Sequence, residues 1–412
     1  MDPYAVAVIG GGPAGLFCAI HAAEPGSRVV LFEKNEQPGK KLLLSGTGQC
    51  NITHAGEIRD FLTRYGDHGK FLKPVLMGFS NKDLIRFFSD RGLEMETEKN
   101  GKVFPKSRSA PDVLTLLLRA CRERGVEMRC GEMVRGVEKP PDGFLITTQT
   151  SAYPARAVVI TTGGASYPKT GSSGDGVRLA AALGQPVTAL APALTPVTVR
   201  NYPFADLAGI SFEDIPFTLW HDGKKTGSFS GDILFTHTGL SGPGILDASR
   251  FFNEGDVLRL SFTGKVSRES FDRELSGILH SQGTRLVRTA MTGPGLPERL
   301  LRKILSLSGV PDNLTCAHLT AVQRKEIVTR CTEFPFVIDR LGDFTIAMAT
   351  RGGIALENVN QKTMESKLVP GLFFAGEVLD IDGDTGGYNL QAAFSTGYAA
   401  AMEIRKRQSN QS

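Results

Sequence analysis

A short apolar run that breaks into glycines, enters a helix and returns through a second apolar run to an acid constrains this chain more than any other feature. Ala5 to Ile9 is the first run, and Gly10-Gly11-Gly12-Pro13-Ala14-Gly15 follows at once. Leu16 to Ala23 is a small-residue helix pattern, and Val29 to Phe32 ends in Glu33. That order is strand, glycine turn, helix, strand, acid, which is what a dinucleotide requires. Gly10 allows the tight turn, Gly12 lets the backbone approach a pyrophosphate, and Gly15 lets helix and strand pack closely. A helix N-terminus carries roughly half a positive charge and free N–H groups, which suit a diphosphate. Glu33 lies 18 residues after Gly15, where a carboxylate can accept hydrogen bonds from an adenosine ribose. An ordinary glycine-rich turn does not account for that acid.

The chain has 412 residues, enough for two or three domains and a large core. Its 47 glycines cluster in loops and form no repeat, which fits a protein wrapped round a cofactor better than a fibre. No apolar run approaches the roughly 20 residues of a membrane span. The N-terminus runs straight into the first strand, so no signal peptide is expected. The six cysteines form no C-x-x-C pair, and the seven histidines show no metal-ligand spacing. A reduced, cytoplasmic protein without a bound metal is the expectation.

Along the chain, Lys40 to Asn51 is a glycine- and serine-rich turn, and residues 60 to 95 read as helical. Ser109-Ala110-Pro111-Asp112 starts a helix that runs to about Arg124. Val126 to Glu138 and Gly143 to Thr148 read as short strands, and Ala157 to Thr161 as a buried one ending in Thr162-Gly163-Gly164. Beyond Pro192 the character changes to alternating strands, with a hairpin turn at His221-Asp222-Gly223. Ser267 to Arg330 is helical, and the chain returns to the first domain around Val337 to Gly342. The expected organisation is α/β, with a split Rossmann-like cofactor domain at 1–193 and 343–412. A substrate-side domain, β-rich and then helical, is inserted at 194–342.

The C-terminal stretch repeats the first signal. Leu372 to Ala375 is a buried strand, followed by Gly376-Glu377-Val378-Leu379-Asp380, then Gly386-Gly387-Tyr388-Asn389-Leu390 and a helix. Two glycine-to-helix junctions at opposite chain ends suit one long dinucleotide such as FAD. The N–H groups of Asn389 and Leu390 would then face the flavin N1–C2=O edge. Glu377 or Asp380 would bind a ribityl hydroxyl.

Five stretches together resemble the BaiN/RdsA family of bacterial flavoproteins. They are V-I-G-G-G-P-A-G-L at 8–16, K-L-L-L-S-G-T-G-Q-C-N at 41–51, T-T-G-G-A-S-Y-P-K-T-G at 161–171, L-F-T-H-T-G-L-S-G-P at 234–243 and F-A-G-E-V-L-D-I-D-G-D-T-G-G-Y-N-L-Q at 374–391. The resemblance covers nearly the whole chain. It implies noncovalent FAD, a two-dinucleotide-binding-domain fold and an inserted domain. The family includes members assigned to dihydrouridine formation in large-subunit ribosomal RNA, to enone reduction and to small-amine oxidation. Many relatives carry a basic residue before the cysteine of the second stretch, where this chain has Gln49. From motif and resemblance, the residues expected at the cofactor are Gly10, Gly12, Pro13, Ala14, Gly15, Glu33 and Lys34 at the first junction. Lys41, Leu42, Gly48 and Asn51 come from the next turn, Val134, Thr162 and Gly163 from the middle of the domain. Gly376, Glu377, Asp380, Asn389 and Leu390 close the set.

Reducing a conjugated C=C needs a hydride from a flavin and a proton at the neighbouring carbon. Cys50 is the first candidate donor, since a thiol of pKa about 8.5 is protonated at neutral pH. The alternative is a small buried residue packing under the ring. Tyr388 is either a donor or a packing ring, and His237 either lines the substrate side of the flavin or is structural. With no second G-x-G-x-x-G, either NAD(P)H binds transiently in the same cleft or another reductant serves. Between Lys265 and Arg330 there are 11 basic and 6 acidic residues. There Leu300, Leu301, Ile304 and Leu305 share one helical face and Arg299, Arg302 and Lys303 the opposite one. That basic face either holds RNA phosphates or is simply solvated. The favoured expectation is an FAD-dependent reductase of uridine in large-subunit ribosomal RNA. An enone reductase, a peroxide-producing amine oxidase and a non-catalytic redox sensor are the rivals.

Overall fold

The computed structural model describes residues 2–292 and 296–409. It divides into two compact units, one running to Ala193 and resuming at Phe344, the other spanning Leu194–Asp343.

The first unit is built on a seven-stranded sheet. Its parallel part orders the strands Glu127–Cys130, Val29–Glu33, Tyr4–Ile9 and Ala152–Ile160. The near-continuous apolar runs are explained by helices covering the sheet, because a parallel strand is buried on both faces. Along its other edge, Ala152–Ile160 pairs first with Phe144–Thr148 antiparallel, then with Leu372–Phe374 parallel. That change of partner brings the C-terminal motif beside the N-terminal one. Helices Pro13–Ala22 and Tyr388–Ser409 pack closely through small residues. A Cβ on Gly397 would lie 2.5 Å from the Ala14 carbonyl oxygen. A small antiparallel sheet of Thr53–His54, Lys102–Pro105 and Met95–Thr97 supports the turn before it. Val187–Ala193 pairs with Ala349–Ile354.

The run Val126–Glu138 is not one strand. It breaks at Gly131, φ 72°, because its first part pairs with Val29–Glu33 and its second, Val134–Glu138, with Phe144–Thr148.

The second unit is a closed six-stranded antiparallel barrel. Its order is Val197–Val199, Gly239–Ser241, Lys224–Phe235, Ser211–His221, Val257–Leu260 and Phe334–Leu341. Phe204, Phe212, Phe217, Phe235, Phe262, Phe334 and Phe336 fill its core. Helices Arg268–Ser281, Glu298–Leu307 and Ala321–Thr332 come between the last two of these strands in the chain, the second helix burying Leu300, Leu301, Ile304 and Leu305. The expected return to the first domain at Val337–Gly342 is corrected here. Those residues belong to the strand that closes the barrel against Val197–Val199. No helix among the described residues is long and apolar enough to cross a membrane.

Candidate active site

The first junction is held by contacts that need its glycines. Strand Tyr4–Ile9 ends at Gly10, φ 111°, where a Cβ would lie 2.7 Å from the Thr161 carbonyl oxygen. Thr161 Oγ1 donates to the carbonyl oxygens of Ile9 and Gly10 at 3.0 and 2.9 Å, tying the carboxyl ends of neighbouring parallel strands. A Cβ on Gly15 would meet the Gly10 oxygen at 2.0 Å, whereas one on Gly12 would meet nothing within 4 Å. Gly12 therefore borders open space. Pro13 opens the helix, and no side chain caps its N-terminus. Its first-turn N–H groups are the orphans that every helix leaves, aimed outward with the positive end of the dipole. An anionic diphosphate fits that cradle. Glu33 is nearly buried, accepting from the Gly11 N–H at 2.8 Å and from the Asn35 N–H and Nδ2 at 2.8 and 2.7 Å. It braces the turn as well as ending its strand.

The C-terminal junction lands on the first. Gly376, φ 76°, lies so close to the helix start that a Cβ there would come within 2.8 Å of the Ala14 Cβ. Ala14, Ala375 and Ala393 form one small buried cluster. Next to it, Glu377 gathers three chain segments. Its Oε2 accepts from Lys41 Nζ at 2.7 Å, and its Oε1 from the Thr350 N–H at 2.8 Å and Ser166 Oγ at 3.1 Å. Lys41 also reaches Ser166 Oγ at 2.5 Å. Thr350 Oγ1 accepts from the N–H groups of Ala165 and Ser166. Sequence reasoning missed Ser166, although it stands inside a quoted motif, and Thr350, which no motif marks. Lys34 pairs with Asp175 at 2.5 Å and so holds the loop after Thr162 and Gly163. Val134 is buried opposite Thr148 on the hairpin of the same sheet.

The turn containing Leu42, Gly48, Cys50 and Asn51 meets the loop before the last helix. A Cβ on Gly387 would lie 2.6 Å from the Thr53 carbonyl, and Thr53 Oγ1 donates to Gln391 Oε1 at 2.6 Å. Asn389 closes its own loop, exchanging hydrogen bonds with the Gly383 backbone at 2.8 Å each way. It is the second residue of helix Tyr388–Ser409 and Leu390 the third, so their N–H groups are first-turn orphans. Asp380 Oδ1 accepts from the Gly352 N–H at 2.8 Å, so that oxygen braces strand Ala349–Ile354.

Four candidate residues are placed by their surroundings. Cys50 is fully buried in the apolar core, at φ 62°, and burial pushes its thiol up to about 12. That burial is the placement the packing alternative describes. Both N–H groups of the Asn51 amide are spent on the carbonyl oxygens of Thr53 and Val103, at 2.9 and 3.0 Å. Only Oδ1 remains for a ligand. Tyr388 is buried and stacked on His54, with ring centroids 5.4 Å apart, beside Phe61 and Tyr65, so it packs. His237 is exposed in a turn, not a buried structural histidine.

The basic helix face is largely self-engaged. Lys303 pairs with Asp206 at 3.0 Å, Arg302 with Glu298 at 2.6 Å, and Arg299 donates to the Asp206 carbonyl oxygen at 2.5 Å.

Comparison with known proteins agrees over almost the entire length. The family described as HI0933-like protein Rossmann domain matches residues 4–403. A 3-dehydro-bile acid delta(4,6)-reductase of Clostridium scindens is 29% identical over 98% of this chain and 99% of its own. Ribosomal RNA dihydrouridine synthases of Escherichia coli and Haemophilus influenzae are 28% and 29% identical, covering 97–98% of this chain and 98% of each relative. A solved structure of a Mycobacterium smegmatis Sdh1 complex in the apo form is similar in fold. It has a TM-score of 0.51 and 16% identity, over 98% of this chain and 68% of that one.

Proposed function

Since the chain belongs to the HI0933-like Rossmann-domain family, we propose that this FAD-dependent oxidoreductase reduces an activated carbon–carbon double bond, and that the bond is C5=C6 of uridine in large-subunit ribosomal RNA. The observation that carries the cofactor part is the meeting of the two glycine junctions at Ala14 and Gly376, at the carboxyl ends of parallel strands where α/β sheets bind nucleotides. FAD, when bound, supplies the hydride. The uncapped helix start at Gly12–Pro13 would hold the diphosphate, and Glu33 lies at the strand end suited to the adenosine ribose. Lys41, fixed by Glu377 and Ser166, places an ammonium in the same crevice. The first-turn N–H groups of Asn389 and Leu390 would favour negative charge at the cofactor's ring end. Cys50 and Tyr388 shape the walls and are not the proton source.

The RNA substrate rests on two relatives that match end to end and carry a ribosomal RNA dihydrouridine synthase name. The bile acid reductase, equally similar, favours a second reading in which the substrate is a steroid-like enone. Stopped-flow reoxidation of the reduced protein without oxygen separates them. Reoxidation by ribosomal RNA and not by a steroid enone supports the first, the reverse supports the second. Reoxidation by oxygen alone, with peroxide release, excludes both.

A further inference from the structure

The ribosomal RNA reading, on which this inference rests, needs a surface that takes a phosphate backbone. Helix Glu298–Leu307 is poorly suited, because Arg302 and Lys303 are neutralised by Glu298 and Asp206. The hairpin of the barrel is different. Asp222 and Gly223, at φ 46° and 75°, turn strand Ser211–His221 into Lys224–Phe235, and residues 221–226 are all exposed. Left-handed residues at both turn positions mark a tight, defined hairpin. Its register sets His221 against Lys224 and Trp220 against Lys225. Among the described residues no ion pair involves either lysine.

The outer barrel face continues the patch. Arg259, on strand Val257–Leu260, lies over the Trp220 indole with its guanidinium carbon 4.2 Å from the ring centroid. Trp220 Nε1 donates to Thr218 Oγ1 at 2.8 Å, which fixes the ring. The nearest acid to Arg259 is Glu333, at 3.7 Å and shared with Arg268. At the tip, Asp222 lies 3.4 Å from His221 Nε2, and the buried Asp256 holds His221 Nδ1 at 2.6 Å. Asp222 and Asp256 thus both face His221, on the side of the ribbon that carries Lys224, while Trp220, Lys225 and Arg259 share the other.

We propose that this hairpin end, with Trp220, Lys225 and Arg259 on its outer face and Lys224 at the tip on the other side of the ribbon, binds a single-stranded stretch of RNA, with phosphates on the lysines and a base stacked on the guanidinium–indole pair. Free cations beside a fixed aromatic ring are the combination that binds single strands with little sequence preference. An isolated basic helix face lacks the ring.

Trp220 is the sole tryptophan of the chain, so its emission reports binding directly. The FAD-loaded protein is titrated with a uridine-rich single-stranded RNA at several salt concentrations. Wild-type emission should change on binding. The double variant Lys224→Glu, Lys225→Glu should bind at least tenfold more weakly. Its log–log salt slope should be shallower by about 1.4, two phosphates at about 0.7 each. FAD content and thermal midpoint should be unchanged. Trp220→Phe should retain most affinity and Trp220→Ala lose several-fold, with the salt slope kept; binding is then read with a fluorescein-labelled strand. The triple variant Arg299→Glu, Arg302→Glu, Lys303→Glu should bind as the wild type does. If the wild type binds RNA and the lysine variant binds equally well, the hairpin assignment is wrong while the ribosomal RNA reading survives. If the wild type binds no RNA, and its gene leaves ribosomal dihydrouridine unaltered, both fall. Heparin bound as tightly as RNA would reduce the face to a general anion surface and overturn the assignment.

Discussion

Gly12 and Gly15 sit in the same motif and answer to different constraints. A Cβ at Gly15 would meet the Gly10 oxygen at 2.0 Å, and one at Gly12 would meet nothing. Gly15→Ala should therefore destabilise the protein by about 2–3 kcal/mol, the cost of forcing a methyl into filled space. Gly12→Ala should leave stability within about 0.5 kcal/mol and weaken FAD binding at least tenfold, because its methyl occupies the approach to the diphosphate. Urea unfolding and flavin fluorescence titration separate the two effects, and equal loss of stability in both variants would contradict the assignment of roles. Cys50 gives the converse case. Its position in a glycine turn was legible, but its full burial was not, since burial in the core is decided by residues distant in sequence. Cys50→Ala should lower turnover by less than about fivefold and stability by about 1 kcal/mol. A hundredfold loss of turnover with normal FAD content would restore it as proton donor.

At the level of elements, runs of apolar residues announce strands, while partner choice is decided elsewhere. Val126–Glu138 reads as one continuous segment and serves two neighbours. Phe334–Leu341 lies beyond the inserted helices, on the way back to the first unit, and yet closes the barrel. Neither fact is local. The joint between elements made by Glu377 was half legible, for Lys41 and Glu377 stand in motifs and Thr350 does not. Glu377→Ala strands the Lys41 ammonium and the Thr350 N–H together, which should cost about 2 kcal/mol. FAD affinity should fall with it; an unchanged urea midpoint would show that the joint bears no load. A second joint, between helices Pro13–Ala22 and Tyr388–Ser409, includes His21 among the rings of Phe17, Phe79, Phe87 and Tyr398. Burial lowers its pKa to about 4, partly offset by the hydrogen bond that its Nδ1–H donates to the Phe17 carbonyl oxygen at 2.8 Å. The folded protein thus resists protonation that the unfolded chain accepts at about 6.5. The contribution is complete above pH 6.5 and is lost as pH falls toward 4. The urea midpoint of the wild type should decline between pH 6.5 and 5, and His21→Gln should flatten that decline. A wild-type midpoint constant across this window would contradict it.

For the whole molecule, the cofactor and the α/β class were legible because a dinucleotide demands glycines, a helix start and an acid at fixed spacing. The insertion was legible as a change of pattern after Pro192, and its closure into a barrel was not, because closure depends on strands separated by more than a hundred residues. Charge was the least legible quantity. A count of basic residues pointed to helix Glu298–Leu307, where the acid that neutralises Lys303, Asp206, lies far away in sequence. The hairpin at Lys224 and Lys225 carries fewer charges, but they are available. The most direct measurement is mass spectrometry of nucleosides from large-subunit ribosomal RNA, in cells with and without this gene. The expected result is loss of one dihydrouridine, restored by the wild-type gene and not by a variant unable to bind FAD. Identical dihydrouridine content in both strains would contradict RNA as the substrate.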